Sequence, residues 1–323
     1  ECNFSMNFYN DIFNFTLFFQ HRNKMSSKAK TVETQNSYKI ISGYLTIIGK
    51  LPTGDTLGFI PNDIKTFGDV YRNHLLQPSP RDGSVSLRFE GIDSPEFNYT
   101  SHNQKFSKQA RDYLLEQSHF GNILFKNANG NDCNSVISSK PEKVKAYIAC
   151  NGIDPHGNPI CYVFRGTSKK DGQVLSLTPN ELRNSLNYKM LEEGFAYLLT
   201  YSSMPASHID FFRAAAIRAK SQRKNIWSAD TTSLFNVTDK SSIAGENTQL
   251  IYPKLFRRFI DYYNDKSKGF DGTLSDWLKI SNEDDMVLPY GSSKEISISS
   301  IIKQRSSTTW FRTDTNYLVF IER

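Results

Sequence analysis

Cysteine is scarce in this chain, with four in 323 residues. Cys2, Cys133, Cys150 and Cys161 contain no C-x-x-C pair and no zinc spacing, so a thiolate-held zinc cluster is excluded. Cys150 and Cys161 flank a hairpin turn where a disulfide is conceivable; half-buried free thiols are the expectation. Long hydrophobic runs are missing too. No stretch approaches the ~20 apolar residues of a membrane helix. The N-terminal NDIFNFTLFF is short and broken by Asn and Asp. It lacks a basic leading region and a small-residue cleavage site, so it does not read as a signal peptide. No membrane partner is indicated, and the cytoplasm is favoured without any compartment being fixed. Internal repeats are absent, and neither charge sign dominates: 39 Lys and Arg face 33 Asp and Glu, for a formal +6. That excess permits an anionic partner without demanding one. Its two concentrations, Arg213 to Lys224 and Lys254 to Arg258, read first as solvated helix faces.

What is present is enough for a core. Apolar residues make up 38% and aromatics 13%, which argues against wholesale disorder, and the length allows two domains or one domain with a large appendage. The sequence opens on Glu, and MSSKAKTVETQ from Met25 looks like a natural beginning. Residues 1–37 are therefore expected to be a leader or extension.

From Tyr38 the text turns into strands. YKIISGYLTIIG is rich in β-branched and aromatic residues, and LPTGDTLGFIP reads as a turn and a strand. Residues 61–84 look like a long inserted connection, and SVSLRFEGI is the next strand. SHNQKFSKQARDYLLEQS spaces Phe106, Ala110, Tyr113 and Leu114 as a helix does, starting near Ser101 and stopping at Gly121. GNILFK is a short strand, and the Asn/Gly/Ser-rich run 127–141 is expected to be an irregular loop. VKAYIACNGI and PICYVFRG flank the turn text DPHGNP. TPNELRNSLNYKMLEEG predicts one helix from a Thr or Asn cap to Gly194, and a second spans about Ser207 to Lys224, closing on NIWS. About five strands and three helices suit a small closed barrel with helices on one side, an α+β arrangement. TTSLFNVTDKSSIAGENTQ is polar and unpatterned, so residues 231–248 are expected to be a linker. Residues 249–323 hold a helix, YPKLFRRFIDYYN, read as core, and the strand-like EISISSII and NYLVFIE. They form an α+β extension with no recognisable chemistry.

Three charged side chains in VSLRFEGIDSPEF need solvent or partners: Arg88, Asp93 and Glu96. Arg88 is two residues from Glu90 and so is expected on its face. Pro95 breaks the ladder just past Asp93. Two carboxylates three residues apart, with Asp55 from the Gly54-Asp55-Thr56 turn, form the oxygen-rich group that a hard divalent cation takes. A guanidinium beside it can clamp phosphate oxygens through paired N–H donors. The plainer reading of the same residues is a surface Arg88–Glu96 ion pair with Asp93 capping a turn.

LNYKMLEEGFAYL followed by FRAAAIRAKSQRKNIWS resembles the end of the staphylococcal nuclease (thermonuclease-like) family. The family's GDT turn is matched by Gly54-Asp55-Thr56. Its R-x-x-x-x-D-T-P-E strand is matched by Arg88, Asp93, Ser94, Pro95 and Glu96, with Ser for Thr. The resemblance covers about residues 38–230. It implies a five-stranded OB-fold β-barrel with Asp55, Asp93 and the Ser94 carbonyl as calcium ligands. Glu96 would act as general base or water-orienting group, and Arg88 would bind the scissile phosphate. The family's second catalytic arginine lies in a D-x-Y-G-R turn; here the turn is D-P-H-G-N, with Asn158 in place of that arginine and His156 in place of a base-stacking tyrosine. One missing electrostatic stabiliser costs ~3 kcal/mol or more in such reactions. Arg165, His156, Lys143 and Lys145 are the side chains whose positions could make good the loss.

These residues lead to a calcium-dependent nuclease acting on DNA or RNA, slowed by Asn158, with basic residues of the last barrel helix steering the polyanion. The alternative is a barrel kept as a non-catalytic module that binds nucleic acid or protein.

Overall fold

The computed structural model describes residues 37–70, 74–128 and 131–322. The expected 1–37 extension thus lies almost wholly outside the described residues. Five strands carry the first core: β1 (Tyr38–Thr46), β2 (Thr56–Pro61), β3 (Val85–Phe89), β4 (Lys143–Ile153) and β5 (Pro159–Arg165). Their order is β2-β3-β5-β4-β1, and β1 pairs again with β2, which closes the ring. All pairs are antiparallel except β3–β5, where Arg88 lies opposite Ile160. Closure leaves no open edge within the ring. The period-2 text sorts the faces: Val85, Leu87 and Phe89 point into the barrel, while Ser86 and Arg88 point out. This is the α+β, OB-fold barrel that the sequence implied.

Cys150 and Cys161 are register partners on β4 and β5, both buried and both free thiols. Glu90 does not share the face of Arg88. It lies just past β3 and is buried, with Asn151 Nδ2 donating to its Oε1 at 3.0 Å. The strand ends at Phe89, and Gly91 beyond it, at φ +83°, turns the chain where a Cβ would come within 2.8 Å of the Phe212 ring.

Three helices pack against the barrel: α1 (Ser107–Gln117), α2 (Leu186–Glu192) and α3 (Ala206–Ser221). Helix α1 starts six residues later than expected, because Thr100, Ser101 and Phe106 all take left-handed φ. The helix expected from Thr178 to Gly194 is broken in two. Thr178 and Glu181 form a capping box for one short turn, and Ser185 recaps the chain by accepting from Tyr188 N–H at 3.1 Å. Within the run expected as a loop at 127–141, Asn131–Lys140 is a strand paired antiparallel with Gly121–Ala128. Polar text can hold such a strand because much of it faces solvent, and the Val136 carbonyl accepts from Gly49 N–H.

Residues 231–248 do not form a free linker. Phe235, Val237 and Ile243 are buried in a second core with Phe256, Phe259 and Ile260. Helices α4 (Pro253–Lys266) and α5 (Leu274–Ile280) frame that core. Leu234–Asn236 pairs with Thr308–Phe311, and Leu318–Phe320 runs parallel to Thr200–Tyr201 of the barrel half. EISISSII is not one strand either, since Ile298–Ile301 forms a helical turn inside it. Tyr197, Leu199 and Trp227 belong to this second core, so the C-terminal region is packed directly on the barrel half.

His208 on α3 gives the barrel half a measurable acid sensitivity. Its Nε2–H donates to the Leu177 carbonyl at 2.8 Å, leaving Nδ1 to accept from Tyr162 OH at 3.1 Å. Burial holds its pKa below the ordinary value, with the Leu177 hydrogen bond opposing. The depressed value means that the neutral ring contributes fully above the unfolded-state pKa, and that this contribution is lost as pH falls through the lower folded value. Urea midpoints measured between pH 7.5 and 5 should therefore fall more for the wild type than for His208→Gln.

Candidate active site

Asp55 and the segment after β3 meet at one end of the barrel. Asp55 Oδ2 accepts the Ser94 N–H at 2.9 Å, and its Oδ1 accepts from Thr53 Oγ1 at 2.8 Å. Gly54 permits that approach, since a Cβ there would lie 2.6 Å from Ser94 Cβ. Ile92–Asp93 pairs antiparallel with Tyr197–Leu198, which fixes where the Asp93 carboxylate emerges. Glu96 is placed by Gln104, whose Oε1 accepts the Glu96 N–H at 3.1 Å. Burial raises the Asp55 pKa, and Asp93 raises it further. Burial also pushes Glu96 up to about 7; Arg257 opposes this, while Asp93 and Asp55 add to it.

The cation facing these acids is not the one expected. Arg257 of α4 lays its guanidinium on Asp93, Nη1 donating to Oδ1 at 3.1 Å and Nη2 to Oδ2 at 3.0 Å. Nη1 also donates to Glu96 Oε1. Burial would lower the pKa of this guanidinium, but Asp93 and Glu96 outweigh it and hold the group firmly charged. The partners are 164 and 161 residues apart in sequence, so no local pattern marks the contact. Nor is Lys254 to Arg258 a solvated face. Lys254 is buried and pairs with Asp285 at 3.2 Å, and Arg258 pairs with Glu283 at 2.6 Å. The one clue in the text is a row of bases among the apolar positions Leu255, Phe256, Phe259 and Ile260, where a buried helix needs a partner for each charge.

Arg88 pairs with a different carboxylate, although its register partner is Thr56, next to Asp55. It is 47% exposed, and its Nη1 lies 3.5 Å from Asp154 Oδ2. The surface Arg88–Glu96 pair of the plainer reading is therefore replaced by Arg88–Asp154 and Arg257–Glu96. Asp154 also organises its own turn, accepting from the backbone N–H of His156 at 2.8 Å and of Asn158 at 2.9 Å. The Asn158 side chain folds back as well, its Nδ2 donating to Asp154 Oδ2 at 3.2 Å. His156 is exposed. Arg165 sits with His119, and five residues of β5 separate it from Ile160 opposite Arg88, about 16 Å at the ordinary rise of a strand. Lys143 and Lys145 pair with Thr46 and Tyr44, at the end of β4 remote from the 154–158 turn. Arg165, Lys143 and Lys145 are thus not placed as the missing arginine.

Strand, turn, acids and closing helix thus agree with one family, and residues 86–229 match the model of the staphylococcal nuclease homologue family. Over those residues, under half of the chain, it is similar to the staphylococcal nuclease homologues. The match begins at Ser86, so β1, β2 and Asp55 join the matched residues through the strand register. The chain is also similar to the phosphate acyltransferases of Staphylococcus aureus strains bovine RF122 / ET3-1 and MSSA476. Each is 25% identical over 241 residues, covering 67% of this chain and 67% of the relative. That identity carries no activity to this chain.

The basic residues on and just after α3 are mostly engaged. Arg213 is buried, donating to the Asn316 carbonyl at 2.9 Å and to Asp210 at 2.8 Å. Lys220 pairs with Asp314 at 2.7 Å and Lys224 with Glu193 at 2.8 Å. As to calcium, Asp93 already accepts on both oxygens from Arg257. Among the described residues no group of three or more His, Cys, Asp or Glu is arranged to hold a metal ion. In this conformation the donor set does not fit the cation. No helix among the described residues is long and apolar enough to cross a membrane.

Proposed function

We propose that the chain is a nucleic-acid phosphodiesterase of the nuclease type, shut in the conformation described. One observation carries this reading: Asp55, Asp93 and Glu96 converge at the end of the barrel where β3 brings Arg88 to the surface. Arg88, half exposed, has donors for a phosphate oxygen pair. Glu96 is a desolvated carboxylate, the kind of group that takes a proton from water as a general base. Calcium is the cation that hard carboxylate and carbonyl oxygens would select, once Arg257 has left Asp93. Either DNA or RNA would serve, since the phosphodiester is what these groups address.

A second reading has its own support. Asn158 turned into its own loop and Arg257 seated on the acids both favour a non-catalytic module that binds nucleic acid. The deciding assay incubates the purified chain with labelled single-stranded DNA and RNA in calcium. Slow cleavage is expected, stopped by chelation and reduced by Glu96→Gln about 10²- to 10⁴-fold, the range of a lost general base. Absence of cleavage, with nucleic-acid binding unchanged in Glu96→Gln, would establish the module instead.

A further inference from the structure

We infer that the C-terminal region carries a binding face for single-stranded nucleic acid, built on the sheet of Leu234–Asn236, Thr308–Phe311 and Ile302–Arg305 and centred on Trp310. The register lays two rows across this sheet. Leu234 lies opposite Trp310, which lies opposite Lys303; Asn236 lies opposite Thr308, which lies opposite Arg305. Alternation along each strand puts these six side chains on one face. The intervening Phe235, Thr309, Phe311 and Ile302 are buried on the other.

The outer face has an aromatic ring at its centre and charge of one sign around it. Leu234, Asn236, Lys303 and Arg305 are exposed, and Trp310 is half-buried among them. Trp227 and Trp277, by contrast, lie buried in the second core. The group over the Trp310 ring is the Lys303 ammonium, 5.7 Å from the centroid. Lys303 and Arg305 are the charged members of the two rows, and no carboxylate stands in either row. Two residues apart on one strand, their Cα atoms are about 7 Å from each other. A ring with cations beside it matches what a single strand offers, an open base face to stack and phosphates to pair. An acidic peptide would meet the charges but leave the ring without a stacking partner. Addition of a peptide strand at the Leu234–Asn236 edge is blocked at Asn236. Its N–H donates to Gln249 Oε1 at 3.0 Å, and its carbonyl accepts from Gln249 Nε2 at 2.6 Å.

Lys303 is the adjustable part of this face. Its ammonium rides on a flexible stem, so an incoming base takes the ring while the ammonium moves to a flanking phosphate. Stacking on an aromatic tolerates any sequence, because every base has a π face. The face lies outside residues 86–229 and does not rest on the phosphodiesterase reading. It holds the strand whether the barrel half cleaves it or only binds it.

The test measures anisotropy of labelled single-stranded oligothymidylate, with a chelator present to prevent cleavage. It compares the full chain with Trp310→Ala and with the double variant Lys303→Gln, Arg305→Gln. Trp310→Ala should bind about 5- to 150-fold more weakly, the range for one base stacked on an aromatic. The double variant should flatten the slope of log affinity against log salt by about 1.4, two phosphate contacts at roughly 0.7 each. No binding by the wild type, or binding that both variants leave unchanged, overturns the proposal. An equal loss for a duplex of the same length overturns it too, since paired bases have no free face. So does tighter binding of an oligoglutamate peptide with the same dependence on Trp310, which would make this a protein-docking face. Should Trp310→Ala fail to fold, tryptophan emission of the wild type decides. Saturating oligothymidylate should quench it, and unchanged emission sinks the idea.

Discussion

Replacing Asp93 with Asn should destabilise the chain by about 3 kcal/mol, the lower end of what breaking a buried ion pair costs, since Arg257 keeps Glu96 as partner and some solvent. A carboxylate whose job was only to wait for a metal would behave differently. Crowded by Asp55 and Glu96, it would be neutral or destabilising to its neighbours, and its removal would leave stability unchanged or raised. Here the carboxylate accepts both Nη groups of a partly buried guanidinium, and an amide can accept only on its one oxygen. Part of the loss is returned because Asp55 no longer faces a second negative charge. Urea unfolding at pH 7.5 measures the effect as a lower midpoint at constant slope. A double-mutant cycle with Arg257→Gln should give a coupling energy well above the scatter expected of independent sites. A midpoint for Asp93→Asn at or above the wild type would mean that the Arg257 contact contributes nothing to holding the two halves together.

A fragment ending at Asp230, where the text changes from patterned to polar, should fail to fold as a stable unit. The boundary looks natural because the nuclease resemblance stops there, and because TTSLFNVTDKSSIAGENTQ has few apolar positions. Yet the cut would uncover Leu199, Ile226 and Trp227, all inside the second core. Each Leu or Ile so exposed forfeits about 1.5–3 kcal/mol, against a net stability of roughly 5–15 kcal/mol for a domain. It would also remove Leu318–Phe320, the strand that pairs with Thr200–Tyr201, and strip the Asn316 carbonyl from the buried Arg213. The expected result is a fragment without a cooperative thermal transition that binds a hydrophobic dye, where the full chain unfolds in one step. A cooperative, monomeric fragment would show that the barrel half needs nothing from residues after Asp230.

The barrel was legible because its signals are local. Alternation in SVSLRF, the DPHGNP turn and the Ala-rich helix closing on NIWS each act over a few residues, where backbone sterics and side-chain period decide the outcome. That Asp55, Asp93 and Glu96 lie near one another was legible for the same reason: GDT and R-x-x-x-x-D-S-P-E are short spacings on turns that a barrel brings to one end. The departure at Asn158 was visible as well. The structure adds that its side chain closes on Asp154 and that Arg165 is too far along β5 to replace the family's arginine.

Tertiary structure alone decided what those acids hold. Residues 231–248 pack because three apolar side chains, Phe235, Val237 and Ile243, suffice once a neighbouring core receives them, a sufficiency no window of the sequence reveals. Arg257 was hidden by the same logic: among five neighbouring residues that read as a charged helix face, only the folding of α4 onto the loop after β3 selects one for Asp93 and Glu96. Sequence fixes charge and period along the chain, but a guanidinium chooses its carboxylate by distance, and that distance spans more than 160 residues of sequence.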